Sequence, residues 1–487
     1  MRTIITPMDI VKANLAYHAG MTLEEFLEKE IAEWRHSPQR RMTLAAKKYY
    51  AGEHDILARQ RTVIGKDGKR TPVFNLPNNR LLDNQYGKLV DQKVNYLLAK
   101  KPSFQTEDKA YGKKIGLAFN NRFLRVLKRI GEDSLNGGVA WLQVYYNEQG
   151  GLAFKRIEPE EVLPFWADAD HTELDAVCRV YGIEAYEGRE KKIIEKVEFY
   201  NTEGVRRYQL VNEKLIPESS DSHFSFEKEG VKQGLNWTRI PFVAFKYNAK
   251  EISLLKRVKS LQDAINTIKS DFMNNMQEDA RNTILVLVNY DGTNLGEFRY
   301  NLAQYGAVKV KTVEGAPGDL KTLQVEVNSE NYKVILEILK QALIENGRGL
   351  DAKSDKMGNS PNQMNIQSMY SDLDLDANGM ENEYQAAFEE LLWFVNMHLA
   401  NTGQGDFTGE TVEVIFNRDI LINENEAIGN CQKSEGVISQ ETIVANHPWT
   451  TDTAAELKRI KKEETEKQAR VDDYSEAFNT GAGGNEE

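Results

Sequence analysis

EISLLKRVKSLQDAINTIKSDFMNNMQED, residues 251–279, is the stretch that decides the fold. Its apolar residues recur at alternating spacings of three and four, which places them on one stripe of a helix. They are Leu254, Val258, Leu261, Ile265, Ile268, Phe272 and Met276. The stretch contains no Pro or Gly, so the helix can extend about 40 Å at ~1.5 Å per residue. Such a helix needs a long partner to cover its stripe.

A second long helix is predicted over residues 328–346. Asn328 or Ser329 can cap its start, and Gly347 ends it. Its stripe consists of Tyr332, Ile335, Leu336, Leu339, Ala342 and Leu343. Between the helices, TILVLVNYDG (283–292) predicts one strand, and GAVKVKTVEGAPGDLKTLQVEV (306–327) predicts two more. The sequence therefore predicts a small β module at the far end of two long helices.

The composition is that of an ordinary soluble protein, with 487 residues, 40% hydrophobic and 28% charged. The net charge of −12 argues against a protein that grips nucleic acid, because phosphate binding needs clustered Lys and Arg. It does not exclude a protein past which DNA slides. Cys178 and Cys431 fit no zinc or CxxC spacing, so we expect free thiols in a reducing compartment. Without a signal-peptide core or a stretch of ~20 apolar residues, we expect a soluble chain that is not exported by itself and has no membrane partner.

Several segments resemble one family, the portal proteins of tailed bacteriophages, in its siphophage-type branch. The most specific is NWTRIPFVAFKYNAKEISLLKRVKSLQDAINTIKSDFMNN (236–275), which is similar to the family's "IPfv.f.yN" entry and "l.D.iN...Sd..n" signature. The matching residues are Ile240, Pro241, Asn248, Asp263, Asn266, Ser270 and Asp271. Residues 49–56 resemble "YY.G.hdI", and residues 78–102 resemble "N.r..dn....lVd....YllGkp", with Ala99 where the family usually carries Gly. The resemblance extends from about Tyr49 to about Glu463.

The resemblance implies an α+β portal fold with a mixed wing domain, a two-helix stem, a small β-containing clip, a long kinked wing helix and a helical crown. It assigns the chain as follows: residues 1–250 N-terminal helices and wing β region, 251–280 first stem helix, 281–327 clip, 328–346 second stem helix, 347–362 tunnel loop, 363–402 wing helix, 403–423 wing strand, 424–470 crown and 471–487 disordered tail. Gly379 is the expected bend point of the wing helix.

By the same resemblance the chain forms a closed ring, dodecameric or 13-meric when recombinant, at a capsid vertex of the virion, after assembly in the host bacterial cytoplasm. Double-stranded DNA passes through the ring without sequence readout. Arg348, Lys353 and Lys356 in the tunnel loop then line the channel, and Leu261, Ile265, Ile268 and Phe272 pack between stem helices. The implied partners are terminase, a head-completion adaptor, and the major capsid and scaffold proteins. Asp at Ile265 or Ile268 is expected to abolish the ring.

Three groups of residues have a spacing that could indicate catalysis or metal binding. His54 beside Asp55 has no accompanying nucleophile, so we expect a surface or capping histidine. Asp372, Asp374, Asp376 and Glu383 have the spacing of a calcium loop, but Ala377 stands where that loop needs Gly, and we expect the start of a helix. Asp168, Asp170 and His171 are a weak candidate metal site, more simply explained as an acidic turn.

The chain contains no P-loop, GxSxG, HExxH or CxxC motif. We therefore expect no enzyme activity, no catalytic residue, no cofactor and no metal, with ATP hydrolysis left to the terminase. Two alternatives stay open at this stage: a capsid scaffold that oligomerises without a channel, and a metal-dependent nuclease that uses Asp168, Asp170 and His171.

Overall fold

The computed structural model describes residues 20–64, 69–74, 76–228, 231–278, 284–288, 319–323, 329–351, 363–418, 424–450, 453 and 456–468. Helices and antiparallel strands alternate along these residues, as expected for an α+β protein. The chain divides into two compact units, one of Met1–Gly349 with Asp376–Arg418, the other of Leu350–Leu375 with Asp419–Glu487.

Two short helices open the described part of the first unit, with a break at Ser37. They are α1 (Leu23–Arg35) and α2 (Pro38–Tyr50). A capping box starts α1, because the Thr22 hydroxyl accepts from the Glu25 N–H and the Glu25 carboxylate accepts from the Thr22 N–H. A 3₁₀ turn (Asp55–Ala58) then leads to a hairpin of β1 (Thr62–Ile64) with β2 (Arg70–Pro72).

Three further helices follow, each started by a polar cap. They are α3 (Gln85–Leu98), α4 (Lys109–Ala118) and α5 (Asn121–Gly137), capped by Asn84, Asp108 and Asn120. A short strand, β3 (Ser103–Gln105), separates the first two. The inward face of α3 consists of Tyr86, Leu89, Val90, Val94 and Leu97, which are all buried. Leu82, four residues before Tyr86, would continue this face at helical spacing, but it precedes the helix and is 39% exposed.

Residues 139–246 form antiparallel sheets. β4 (Val139–Tyr146) lies between β13 (Phe242–Lys246) and β5 (Leu152–Ile157). A five-stranded meander contains β6 (Val162–Trp166), β7 (Leu174–Glu187), β8 (Glu190–Asn201), β9 (Gly204–Val211) and β10 (Lys214–Asp221). β11 (Phe224–Lys228) and β12 (Val231–Leu235) form a hairpin. At the start of β4, Gly138 has φ 84°, and a Cβ there would lie 2.0 Å from the Glu251 carbonyl oxygen, so only glycine fits.

The two long helices are α6 (Leu254–Glu278) and α7 (Ser329–Asn346), within two or three residues of their predicted bounds. Between them, β14 (Ile284–Val288) pairs antiparallel with β15 (Asp319–Leu323). The remaining strand predicted for this module lies outside the described residues. α6 alone has 25 residues, about 37 Å at ~1.5 Å per residue.

The longest helix, α8 (Gln363–Asn401), has 39 residues. Its apolar face is buried in the first unit and consists of Tyr384, Phe388, Leu391, Leu392, Val395 and Leu399. Gly379 lies within the helix, and the expected bend there stays a prediction. The strand predicted within residues 403–423 is β16 (Glu413–Ile415), and it pairs with β3 instead of the five-stranded meander.

The second unit contains α9 (Glu424–Lys433) and α10 (Gln440–Asn446), and the Ser439 side chain caps α10. Residues 456–468 are helical. Cys178 and Cys431 are both free thiols, as expected. Within the described ranges, no helix has the length and apolar character that crossing a lipid bilayer requires.

Candidate functional site

The helices α6 and α7 run antiparallel and are joined by aromatic and polar contacts. The Phe272 and Tyr332 rings lie 4.8 Å apart, and the Asn275 amide donates to the Tyr332 hydroxyl oxygen at 2.9 Å. At the opposite end, Val258 lies beside Gly347. The helix pair (α6 and α7) therefore forms a continuous hairpin, as the apolar stripes predicted.

The helix pair exposes several large apolar side chains. On α7, Val334, Ile335 and Ile338 are 49%, 45% and 59% exposed, and their spacing puts them on one side of the helix. On α6, Met273 and Met276 are 39% and 53% exposed. Exposed apolar residues grouped on neighbouring elements are typical of protein interfaces.

The residues predicted to pack between subunits have different environments. Ile265 is 0% exposed and belongs to the main core, so its side chain has no surface left for a neighbour. Leu261 packs against the same core while partly buried, and Ile268 and Phe272 are also half-buried. A contact with a neighbouring subunit stays a prediction for these three residues; for Ile265 the observed packing is internal.

A second stripe on α6 is polar and buried. Its four residues recur every four positions, and each is at most 3% exposed: Gln262, Asn266, Ser270 and Asn274. Together they hydrogen-bond the extended backbone that precedes and enters α3. The sequence carried this signal as four uncharged polar residues at a strict helical spacing, of which the family signature includes Asn266 and Ser270.

The polar ladder (Gln262, Asn266, Ser270 and Asn274) binds successive parts of the backbone between Asn79 and Tyr86. The side-chain oxygens of the four accept, in order, from the backbone N–H groups of Tyr86, Asp83, Leu81 and Asn79 at 2.7–2.9 Å. Gln262 also donates to the Asp83 carbonyl at 2.7 Å. A chain segment outside any sheet thereby satisfies its backbone groups with helix side chains.

His54 joins the ladder and corrects the expectation of a surface or capping histidine. It is 2% exposed, its Nε2 lies 2.9 Å from the Tyr49 carbonyl oxygen, and its Nδ1 lies 2.9 Å from Nδ2 of Asn266. Burial lowers the pKa of His54, although the Tyr49 carbonyl and Asn84 oppose that shift. The residue is a buried structural connector between the 3₁₀ turn and α6.

The chain leaves α7 through a tightly packed turn. Gly347 donates to the Leu343 carbonyl and Gly349 to the Ile344 carbonyl, both at 2.9 Å, and Arg348 between them has φ 51°. A Cβ on Gly349 would lie 2.3 Å from the Leu89 side chain of α3, so a larger residue there would have to displace Leu89. These contacts hold the backbone of Gly347–Gly349 in place at the end of α7.

A buried carboxylate holds this turn. Asp376 on α8 accepts from Nζ of Lys93 at 2.7 Å, from Nη1 of Arg257 at 3.1 Å and from the Tyr247 hydroxyl. Lys93 also donates to the Arg348 carbonyl at 2.9 Å, and the Arg348 guanidinium lies 3.5 Å from Asp376. Burial alone would raise the pKa of Asp376, but Lys93, Tyr247 and Arg257 lower it, so the carboxylate stays ionised.

Sequence reasoning missed this carboxylate cluster (Lys93, Tyr247, Arg257, Arg348 and Asp376). One signal was available: Lys93 falls three residues after Val90 and four before Leu97, within the apolar face of α3. A lysine at such a position needs a buried partner. The partner itself, Asp376, lies 283 residues away in the sequence.

Of the predicted channel residues, Arg348 lies at this turn with its side chain 51% exposed. Lys353 and Lys356 lie outside the described residues. Three cations surround the Asp376 carboxylate, so the start of the loop carries an excess of positive charge.

The acidic turn at residues 168–171 has internal partners. The Asp168 carboxylate accepts from the backbone N–H groups of Thr172 and Glu173, and His171 Nδ1 lies 2.8 Å from Glu251. Asp372, Asp374, Asp376 and Glu383 all lie within the continuous helix α8, as expected, which rules out a calcium loop there. In the part of the chain that the structure describes, no group of three or more His, Cys, Asp or Glu residues could hold a metal ion.

Comparison with known proteins gives matches along nearly the whole chain. Residues 32–470 match the family described as "Phage portal protein, SPP1 Gp6-like". The portal protein of Clostridium phage phiCD119 is 29% identical over 450 residues, which cover 90% of this chain and 96% of that protein. The portal protein of Bacillus phage SPP1 is 27% identical over 433 residues, covering 88% and 84%.

Among solved structures, a chain from the neck of an empty gene transfer agent particle aligns with a TM-score of 0.40 at 11% identity, over 74% of this chain and 88% of that chain. A chain from the virion of a native gene transfer agent particle aligns with a TM-score of 0.37 at 12% identity, over 73% and 87%. The family assignment rests on the sequence matches.

Proposed function

The chain belongs to the SPP1 Gp6-like family of phage portal proteins, and from this premise we propose that it assembles into a closed ring of about twelve subunits at one capsid vertex. Double-stranded DNA passes through the centre of the ring during packaging and ejection. The protein itself serves as a conduit and a docking platform in the virion.

The observation that carries the ring is the uncovered apolar surface of the helix pair. A long helix hairpin buries one side of α7 against α6 and leaves Val334, Ile335 and Ile338 exposed. In a ring, each subunit covers this surface with its neighbour, and the burial of apolar area, at roughly 25 cal/mol per Å², drives assembly.

The turn at Arg348 supports the channel. The carboxylate cluster holds the backbone of Arg348 near the start of the loop, and the Arg348 side chain stays 51% exposed. Lys353 and Lys356 follow in the sequence and add two cations per subunit. Repeated around a ring, such charges touch DNA phosphates without base readout, which suits a duplex that has to move.

The remaining assignments follow the family. Residues 281–327 form the clip, which meets terminase and later the head-completion adaptor, while the major capsid and scaffold proteins bind elsewhere on the ring. A scaffold without a channel would explain the apolar surface equally well but not the family match. A nuclease is not favoured, because Asp168 and His171 already have partners within the chain.

The test is native mass spectrometry of the purified full-length chain, with negative-stain imaging of the same sample. We expect twelve or thirteen subunits around an axial hole wide enough for duplex DNA. A closed ring without such a hole would favour the scaffold, and a stable dimer that covers the helix pair would contradict the proposal.

A further inference from the structure

An arginine-lined cleft lies between the β1–β2 hairpin and the helix pair. Its volume is about 620 Å³, and none of the functions above uses it. One wall contains Arg59 and Arg61, which precede the hairpin, and Arg70 of β2. The helix pair forms the other wall with Asp271, Asn275 and Tyr332. Among the lining residues that the structure describes, three guanidinium groups stand against a single carboxylate, so this part of the cleft is cationic.

Arg59 is held in the cleft with part of its hydrogen-bonding capacity unused. Its Nη2 lies 2.9 Å from Oδ1 and 3.2 Å from Oδ2 of Asp271, and its Nη1 is buried without a hydrogen-bond partner. A buried guanidinium N–H without an acceptor is unfavourable, and such exceptions in a native structure call for an explanation. The Arg59 side chain as a whole is 34% exposed and lines the cleft, so its guanidinium can meet an anion there.

Neighbouring residues of the lining also carry hydrogen-bond donors. The Asn275 amide donates to the Tyr332 hydroxyl oxygen, and the phenolic hydrogen of Tyr332 is a further donor. Arg61 donates through Nη1 to the Pro77 carbonyl at 3.0 Å. Arg70 is exposed on β2. Among these described residues donors outnumber acceptors, so the cleft suits an anion rich in acceptors.

We propose that this cleft is a phosphate-binding site. Arginine forks match the tetrahedral oxygens of phosphate, and two or three arginines with a hydroxyl supply the number of donors that a phosphate group accepts. The phosphate belongs either to the backbone of DNA or to free phosphate in solution. The first source rests on the proposed portal function, whereas the site itself does not.

The experiment titrates inorganic phosphate into the full-length protein at low ionic strength and follows the heat of binding. We expect saturable binding at one site per chain. Arg70→Ala removes an exposed guanidinium, and Arg59→Lys keeps a cation for Asp271 but loses Nη1. Each should weaken binding about tenfold, the effect of losing one charged hydrogen bond. Arg122→Ala, which removes an exposed arginine from α5, should bind as the wild type does.

No saturable binding by the wild type, or equal binding by wild type, R70A and R59K, overturns the proposal. A second titration adds a short DNA duplex to the phosphate-bound protein. Displacement of phosphate identifies the DNA backbone as the source, and the salt slope of DNA binding should then fall by about one in R70A. No displacement identifies free phosphate, and both results support the site.

Native mass spectrometry of the same samples separates this proposal from the ring. Intact rings that bind no phosphate would reject the cleft and leave the portal function standing. Phosphate binding by a chain that forms no ring would do the reverse.

Discussion

Nδ2 of Asn266 donates to Nδ1 of His54 at 2.9 Å, and both side chains are buried. The orientation of the amide is fixed, because Oδ1 of Asn266 accepts from the Asp83 N–H at 2.9 Å. Nδ1 of His54 therefore acts as acceptor, and the ring proton lies on Nε2, facing the Tyr49 carbonyl. Protonation of Nδ1 would place its N–H against the N–H of Asn266, so two donors would face each other.

This geometry predicts a pH dependence of stability. Burial lowers the pKa of His54 in the folded chain, so the unfolded chain binds more protons below the ordinary value of about 6.5. The free energy of unfolding contributed by His54 is complete above that pH and is lost as the pH falls through the lower folded pKa. His54→Gln should reduce the fall between pH 7.5 and 5, by up to about 1.4 kcal/mol per pH unit.

Urea unfolding at several pH values measures this effect. Burial also lowers the pKa values of His223 and His398, so the informative quantity is the difference between H54Q and wild type. His36→Gln changes an exposed histidine and should leave the pH dependence as it is. Equal pH slopes for H54Q and wild type would refute the tautomer described above.

The polar ladder predicts a second effect on stability. Ser270 accepts from the Leu81 N–H at 2.9 Å and donates to the Asn266 carbonyl at 2.7 Å. Ser270→Ala leaves a backbone donor without its acceptor and should lower the free energy of unfolding by about 1–3 kcal/mol. Thr267→Ala, on the same helix, should change it by less than about 0.5 kcal/mol. If chemical denaturation gives both variants the same stability, the ladder does not stabilise the chain.

The limits of sequence reasoning are visible on α6. Its apolar stripe was predictable because a period of 3.6 is a local property, and the helix bounds followed from caps and the absence of Pro and Gly. The ladder was not predicted, since its partners are backbone groups 176–195 positions earlier in the sequence. Periodicity shows which residues share a face but not what covers that face.

Ile265 and Ile335 show the same limit for the candidate site. Both are isoleucines on the predicted apolar stripe of a long helix, yet the first is 0% exposed and the second 45%. The difference comes from the tertiary packing of α6 against the core, which no local pattern encodes. The family resemblance predicted the fold class, whereas the carboxylate cluster around Asp376 became visible only in the structure.

The carboxylate cluster predicts an order of stabilities. Asp376→Asn leaves Lys93, Arg257 and Arg348 around a neutral amide and should cost about 3–5 kcal/mol, as expected for uncompensated buried charge. Lys93→Met leaves the carboxylate with Arg257 and Tyr247 and should cost less, about 1–3 kcal/mol.

Lys88→Met on the exposed side of α3 is the control and should change stability by less than about 0.5 kcal/mol. Urea unfolding of the three variants ranks them. Should K93M prove more destabilising than D376N, the carboxylate would not be the centre of this cluster.

The last prediction concerns assembly. Asp at Ile265 would place a charge in the core and unfold the subunit, so it does not test the ring. Ile338→Asp places the charge on the exposed side of α7, where the isolated subunit tolerates it. Covered by a neighbour, that charge would be buried without a partner, which costs several kcal/mol at every interface of a ring. We expect folded subunits with an unchanged circular dichroism spectrum and no rings in native mass spectrometry.

Ile338→Leu should retain rings, as should Ile193→Asp, which changes an isoleucine that is 71% exposed on β8. Rings of normal mass from I338D would show that this side of α7 faces solvent in the assembly, and the subunit contact would then have to lie on another surface.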